Sequence, residues 1–92
     1  MNKLKTQYFE FGEVYVAHNA SLSLDQSEMF QLLEWHGQLK QGELEKEDKE
    51  QNWYALKHGE RILSRFNMNG ISYYVITEAD RSYTTIMEVD EY

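Results

Sequence analysis

Two runs of alternating apolar and polar residues meet at Asn69-Gly70, and this dipeptide constrains the fold more than any other feature of the chain. A two-residue type I′ turn needs positive φ at both central positions, which Asn followed by Gly supplies. Such a loop leaves no freedom of register. Met68 must face Ile71, Phe66 must face Tyr73, Ser64 must face Val75 and Ile62 must face Thr77. These pairs share one mostly apolar face, which must meet a second layer of structure. The other face carries Leu63, Arg65, Tyr74 and Ile76 and is mixed.

A third strand, Tyr83 to Val89, returns antiparallel, and its register stays open. A four-residue loop puts Ile86 on the core face, whereas an odd-length loop puts Tyr83, Thr85 and Met87 there. Upstream, Glu13-Val14-Tyr15-Val16-Ala17 is short and β-prone, with Gly12 before it and Asn19-Ala20-Ser21 after it, which suits an edge strand. Asp25-Gln26-Ser27-Glu28 is a capping box that opens a helix over about 25–36. Met29, Leu32, Leu33 and His36 form its apolar stripe, and Gly37 is placed to end it in the left-handed conformation. A second helix, Glu45 to Lys57, has acids in its first turn, Lys57 and His58 at its end and Gly59 as its stop. Its apolar residues, Trp53 and Leu56 with Tyr54 beside them, lie in its second half. The expected fold is α+β: a small two-layer domain in which two helices cover one face of an antiparallel β-meander.

Composition narrows the chemistry. The 92 residues suit one domain, 1–92, with a loose start over about 1–7 and an acidic tail over about 89–92. There is no cysteine, so disulfides, thiol catalysis and Cys-type zinc sites are excluded. No signal-like run opens the chain and no stretch of about 18 apolar residues occurs, which predicts a cytoplasmic protein without a membrane partner. A net charge of −7 argues against direct nucleic-acid binding. Glu43, Glu45, Glu47, Asp48 and Glu50, and then Glu88, Asp90 and Glu91, read as a solvated helix face and a solubilising tail.

The segments Leu56-x-x-Gly59-x-Arg61-Ile62-Leu63-Ser64 and Val75-Ile76-Thr77-Glu78-Ala79-Asp80-Arg81-Ser82-x-Thr84-Thr85, with the final Asp90-Glu91-Tyr92, carry a resemblance. The pattern resembles a family of small uncharacterised proteins encoded on bacterial plasmids and integrative elements. The likeness extends loosely to His36, Asp48 and Asn52 and fades before residue 25. It implies a mobile-element setting and a shared fold, and it implies no activity.

The charged turn is the expected binding site. Glu78, Asp80, Arg81 and Ser82 carry more charge than a turn needs, and the planar guanidinium of Arg81 suits a partner carboxylate or phosphate. The plain alternative is turn capping by Asp80, a surface salt bridge to Arg81 and closure by Ser82. Trp35 lies off the apolar stripe and is a second candidate anchor. A hydrolase relay would join Ser82, one of His18, His36 or His58, and Glu78 or Asp80, yet no nucleophile elbow is present. The histidines are isolated, so neither a metal nor another cofactor is expected. His36, beside Gly37, reads as a satisfied helix-end histidine.

The leading expectation is therefore a non-enzymatic module for an unknown protein partner, with an exposed sheet face as a route to a homo-oligomer. The alternative is an anti-defence protein that partly mimics DNA. A chain this size spans roughly 32 Å, over which duplex DNA presents about twenty phosphates. Sixteen acids against nine cations fall short of that density, although the second helix could imitate one groove edge.

Overall fold

The computed structural model describes residues 7–40 and 46–92. Strands β1 (Glu13–Val16), β2 (Ile62–Met68), β3 (Ile71–Thr77) and β4 (Tyr83–Glu88) form one sheet in the order β1-β4-β3-β2. The β2–β3 register is the one the two-residue loop dictates, from Ile62 opposite Thr77 to Met68 opposite Ile71. Asn69 and Gly70 take φ of 56° and 83°, the mirror-image turn that matches strand twist. The open register of β4 is settled by its partners: Thr84 pairs with Thr77 and Ile86 with Val75. An even number of residues separates Thr77 from Thr84, so Thr84 and Ile86 face the core. Thr85 and Met87 face the other way. β1 occupies the sheet edge and runs parallel to β4, an addition to the meander.

Among the described residues three helices, not two, accompany the sheet: α1 (His18–Ser23), α2 (Gln26–Gly37) and α3 (Lys46–His58). α1 falls where Asn19-Ala20-Ser21 was expected to be a strand-ending connection. Its N-cap residue, Ala17, has no side chain with which to cap it. The cap is the Glu91 carboxylate, which accepts from the Asn19 and Ala20 amides at 2.8 and 3.1 Å. The acidic end of the chain is thus more than a solubilising tail, because Val89–Glu91 folds as a 3-10 turn held on α1.

α2 opens with the predicted box: Asp25 Oδ1 accepts from the Glu28 amide at 2.8 Å, and Glu28 Oε1 accepts from the Asp25 amide at 2.9 Å. Its end differs from expectation. Leu39, at φ 55°, takes the left-handed conformation assigned to Gly37. Gly37 is needed for space instead, since a Cβ there would lie 2.8 Å from Phe11 Cζ. In α3 the stop is Gly59, at φ 67°, as expected, but the inward face is not. Asn52 and Ala55 are buried, while Trp53 and Tyr54 are 44 % and 50 % exposed and Leu56 is half-buried.

The core lies between the helices and one sheet face. Ala20, Leu24, Leu32, Phe66, Tyr73, Val75 and Ile86 form one apolar cluster, and Phe9, Leu39, Ala55 and Ile62 a second. A thinnest dimension of 20 Å fits one sheet plus one layer of helices. By strand alternation the opposite face carries Leu63, Arg65, Tyr74, Thr85 and Met87, all half-buried, around Ile76, which is buried there although it belongs to neither helix-packed cluster.

Candidate functional site

The charged turn between β3 and β4 is built from within. Asp80 Oδ1 accepts from the Ser82 amide at 3.0 Å, closing an Asx turn. Hydrogen bonds from Ser82, side chain first and then backbone, hold the Asp80 carboxyl below its usual range. Arg81 sits at φ 61°, and its guanidinium turns inward. Nη1 donates to the Glu60, Glu78 and Ala79 carbonyls at 2.6, 3.1 and 3.0 Å, and Nη2 donates to the Ala55 carbonyl at 3.2 Å. Ala55 and Glu60 flank the end of α3, so a cation here ties the turn to the negative end of that helix. Its partners are carbonyls, not the Glu78 or Asp80 carboxylates of the expected surface salt bridge. Ala79, Asp80 and Ser82 are exposed and Glu78 is half-buried, so these side chains form the outward surface of the turn.

Beside the turn lies a buried polar string. His36 Nδ1 is 2.7 Å from Ser64 Oγ and His36 Nε2 is 2.8 Å from Thr77 Oγ1. Thr77 Oγ1 is 2.6 Å from Thr84 Oγ1, which donates to the Phe11 carbonyl at 2.8 Å. A carbonyl only accepts, so the protons can be assigned in order. Thr84 donates to Phe11, Thr77 donates to Thr84, His36 Nε2–H donates to Thr77, and Ser64 donates to the Nδ1 lone pair. The last of these bonds is the one a neutral imidazole makes. Burial lowers the His36 pKa to about 3, and the Arg81 guanidinium adds to the shift. Ser64 and His36 lie at the separation of a nucleophile and its base, but both are fully buried. Neither ring nitrogen of His36 turns to Ser82.

Several residues that carry the resemblance therefore hold elements together. His36, Thr77 and Thr84 link α2, β3 and β4. Arg81 links the turn to α3. Glu91 caps α1. Asn52 links α3 to β2: its Oδ1 accepts from the Leu63 amide at 3.0 Å and its Nδ2 donates to the Leu63 carbonyl. The remaining candidates are more scattered. Trp35 is half-buried, packed on Phe66 with ring centroids 5.5 Å apart. It lines an apolar hollow with Lys40, Phe66 and Asn67. Glu47, Asp48 and Glu50 are exposed on α3, and Glu50 lies 3.9 Å from Lys46. Glu43 and Glu45 lie outside the described residues. No group of His, Asp or Glu among the described residues is arranged to hold a metal, and no described helix is long and apolar enough to cross a membrane.

The feature that sequence reasoning missed is aromatic. Tyr15 and Tyr83 meet edge to face at 5.7 Å, and Tyr74 and Tyr92 do so at 5.3 Å. The register places Tyr15, Tyr74 and Tyr83 on the sheet face away from the helices, and Tyr92 folds onto Tyr74, with its hydroxyl 3.1 Å from Arg61 Nη2. Tyr15, Tyr83 and Tyr92 are 51 %, 39 % and 65 % exposed. The alternation of Tyr83, Thr85 and Met87 held this signal, but only the parity of the preceding loop says which way it points. Comparisons with protein-family models, curated proteins and solved structures gave no match.

Proposed function

We propose that this chain is a non-enzymatic protein-interaction module whose contact surface is the tyrosine-bearing sheet face, bordered at one end by Glu78, Asp80 and Ser82. The observation that supports this reading is the pair of exposed tyrosine contacts on a face outside both helix-packed clusters. Tyrosine suits such a role because it offers a large rigid apolar body and one hydrogen-bonding tip. The chain is strongly acidic, so the matching partner is a protein with an apolar or aromatic centre and a basic rim. The reading carries the setting that the resemblance implies, a bacterial plasmid or integrative element, and the cytoplasmic location expected from the sequence. The DNA-mimic alternative draws less support, because Lys46 and Lys49 interleave with Glu47, Asp48 and Glu50 and break the row of carboxylates.

The test compares three baits in extracts of a host that carries the element: the native chain, Tyr83→Lys and Met87→Glu. Both substitutions fall outside the helix-packed clusters and should leave the melting curve close to native. The reading expects a protein retained by the native chain and lost with both variants. Equal retention on all three baits would overturn it.

A further inference from the structure

The two margins of the sheet are finished differently. At β2 the Asn52 carboxamide takes both the amide and the carbonyl of Leu63, as a neighbouring strand would. β1 has no such cover. Glu13 N donates to the Ser82 carbonyl at 3.1 Å and Ala17 N to the Ile86 carbonyl at 2.8 Å, so residues 13, 15 and 17 point their backbone groups at β4. The amides and carbonyls of Val14 and Val16 therefore point outward, and among the described residues nothing bonds to them. Val14 is 42 % exposed. Neither lysine nor proline, the usual guards of a free edge, occurs in the strand.

We propose that β1 pairs antiparallel with β1 of a second copy of this chain, about a two-fold axis through Tyr15. Val14-Tyr15-Val16 reads the same in both directions, so the strand is its own complement. Centring the axis on Tyr15 sets Val14 opposite the partner's Val16 and makes both outward pairs hydrogen-bonded, four bonds in all by the antiparallel pattern. Glu13 then faces the partner's Ala17, and no acid opposes an acid. The competing registers are poorer. An axis at Val14 sets Val16 against the partner's Gly12, whose φ of 66° is not extended. An axis at Val16 sets Val14 against the partner's His18, the first residue of a helix. The Tyr15-centred pairing also brings the two Tyr15 rings together on one face, each beside its own Tyr83.

So short an edge belongs with small interfaces, below about 1,200 Å² in total, which are weak and transient. Each copy carries −7, so salt should strengthen the pairing by screening repulsion. This inference concerns the margin of the sheet and does not rest on the proposed contact face.

Sedimentation velocity over micromolar to millimolar concentrations tests it, at low and high salt. The expected result is a reversible monomer–dimer equilibrium that tightens with salt. Val14→Pro removes an outward amide without touching the bonds to β4, and Tyr15→Lys sets two ammonium groups face to face. Each should weaken the dimer at least tenfold while circular dichroism stays native, and if the proline variant fails to fold the lysine variant decides. The absence of cysteine allows a test of register. Under mild oxidation Tyr15→Cys should cross-link, because it meets itself at a close, non-hydrogen-bonded position, whereas Val14→Cys should not. A monomer at every concentration, a dimer unweakened by Tyr15→Lys, or equal cross-linking of the two cysteine variants would overturn the proposal.

Discussion

Protonation of His36 should unfold this protein from the inside. The imidazole is fully buried, with Ser64 on one nitrogen and Thr77 on the other. In the folded chain its pKa is lowered to about 3, against an ordinary histidine value of 6.5. Between those two values the unfolded chain binds a proton that the folded chain refuses. The contribution is therefore fully present above pH 6.5 and is lost as pH falls toward 3. The slope is about 1.4 kcal/mol per pH unit, so roughly 3 kcal/mol is gone by about pH 4.5. A small domain has only about 5–15 kcal/mol to lose. The assay is urea unfolding at closely spaced pH values from 7 down to 4.5, on the native chain and on His36→Gln. Glutamine keeps a donor and an acceptor but does not titrate. It forfeits ring contacts with Phe9 and Phe11, at 5.1 and 6.0 Å, so its absolute stability should be lower. Groups common to both proteins cancel in the difference of slopes. The native chain should lose stability more steeply than the variant between pH 6.5 and 5, and parallel lines there would refute the neutral buried imidazole.

The two glycines at Gly12 and Gly70 share positive φ but differ in surroundings. A Cβ at Gly12 would lie 2.2 Å from the Ser82 carbonyl oxygen, whereas one at Gly70 meets nothing within 4 Å. Urea unfolding should therefore give about 1 kcal/mol for Gly70→Ala and well over ~2 kcal/mol for Gly12→Ala. Arg81→Lys keeps the charge but not the fork that reaches four carbonyls, so its melting curve should report a loss above about 1 kcal/mol; an unchanged curve would make those bonds idle. Asn52→Leu keeps the buried volume but leaves the Leu63 amide and carbonyl unpaired, at a cost of roughly 2–4 kcal/mol. Hydrogen exchange should show the Leu63 amide losing its protection, and a protected amide would contradict the pairing.

What the sequence disclosed was whatever its own neighbours determine. The Asn69-Gly70 turn and the register it sets, the Asp25–Glu28 box and the Gly59 stop are decided within a few residues, and all appear as read. The failures share the opposite property. α1 depends on a carboxylate more than seventy positions away, and no local rule assigns a cap to Glu91. Gly37 fits a helix-stop rule, but its reason is Phe11, which reaches it only in the folded chain. Helical periodicity in α3 did not say that Asn52, not Trp53, would face inward, because that choice answers to an unpaired strand edge. The same holds for the candidate site. The charge on Arg81 was visible, whereas its direction was set by carbonyls of its own turn together with those at the end of α3.

The carboxamide of Asn52 also limits what assemblies this protein can build. A fibril grows because each added subunit exposes a fresh template for the next. Here the carboxamide already occupies the outward amide and carbonyl of Leu63, so a strand arriving at β2 would have to displace it there. Two copies joined at β1 would each carry that obstacle on the outer border, and a further strand would meet it at the same residue. A single amide side chain, by satisfying one residue of β2, would then make the two borders of the sheet unequal as templates.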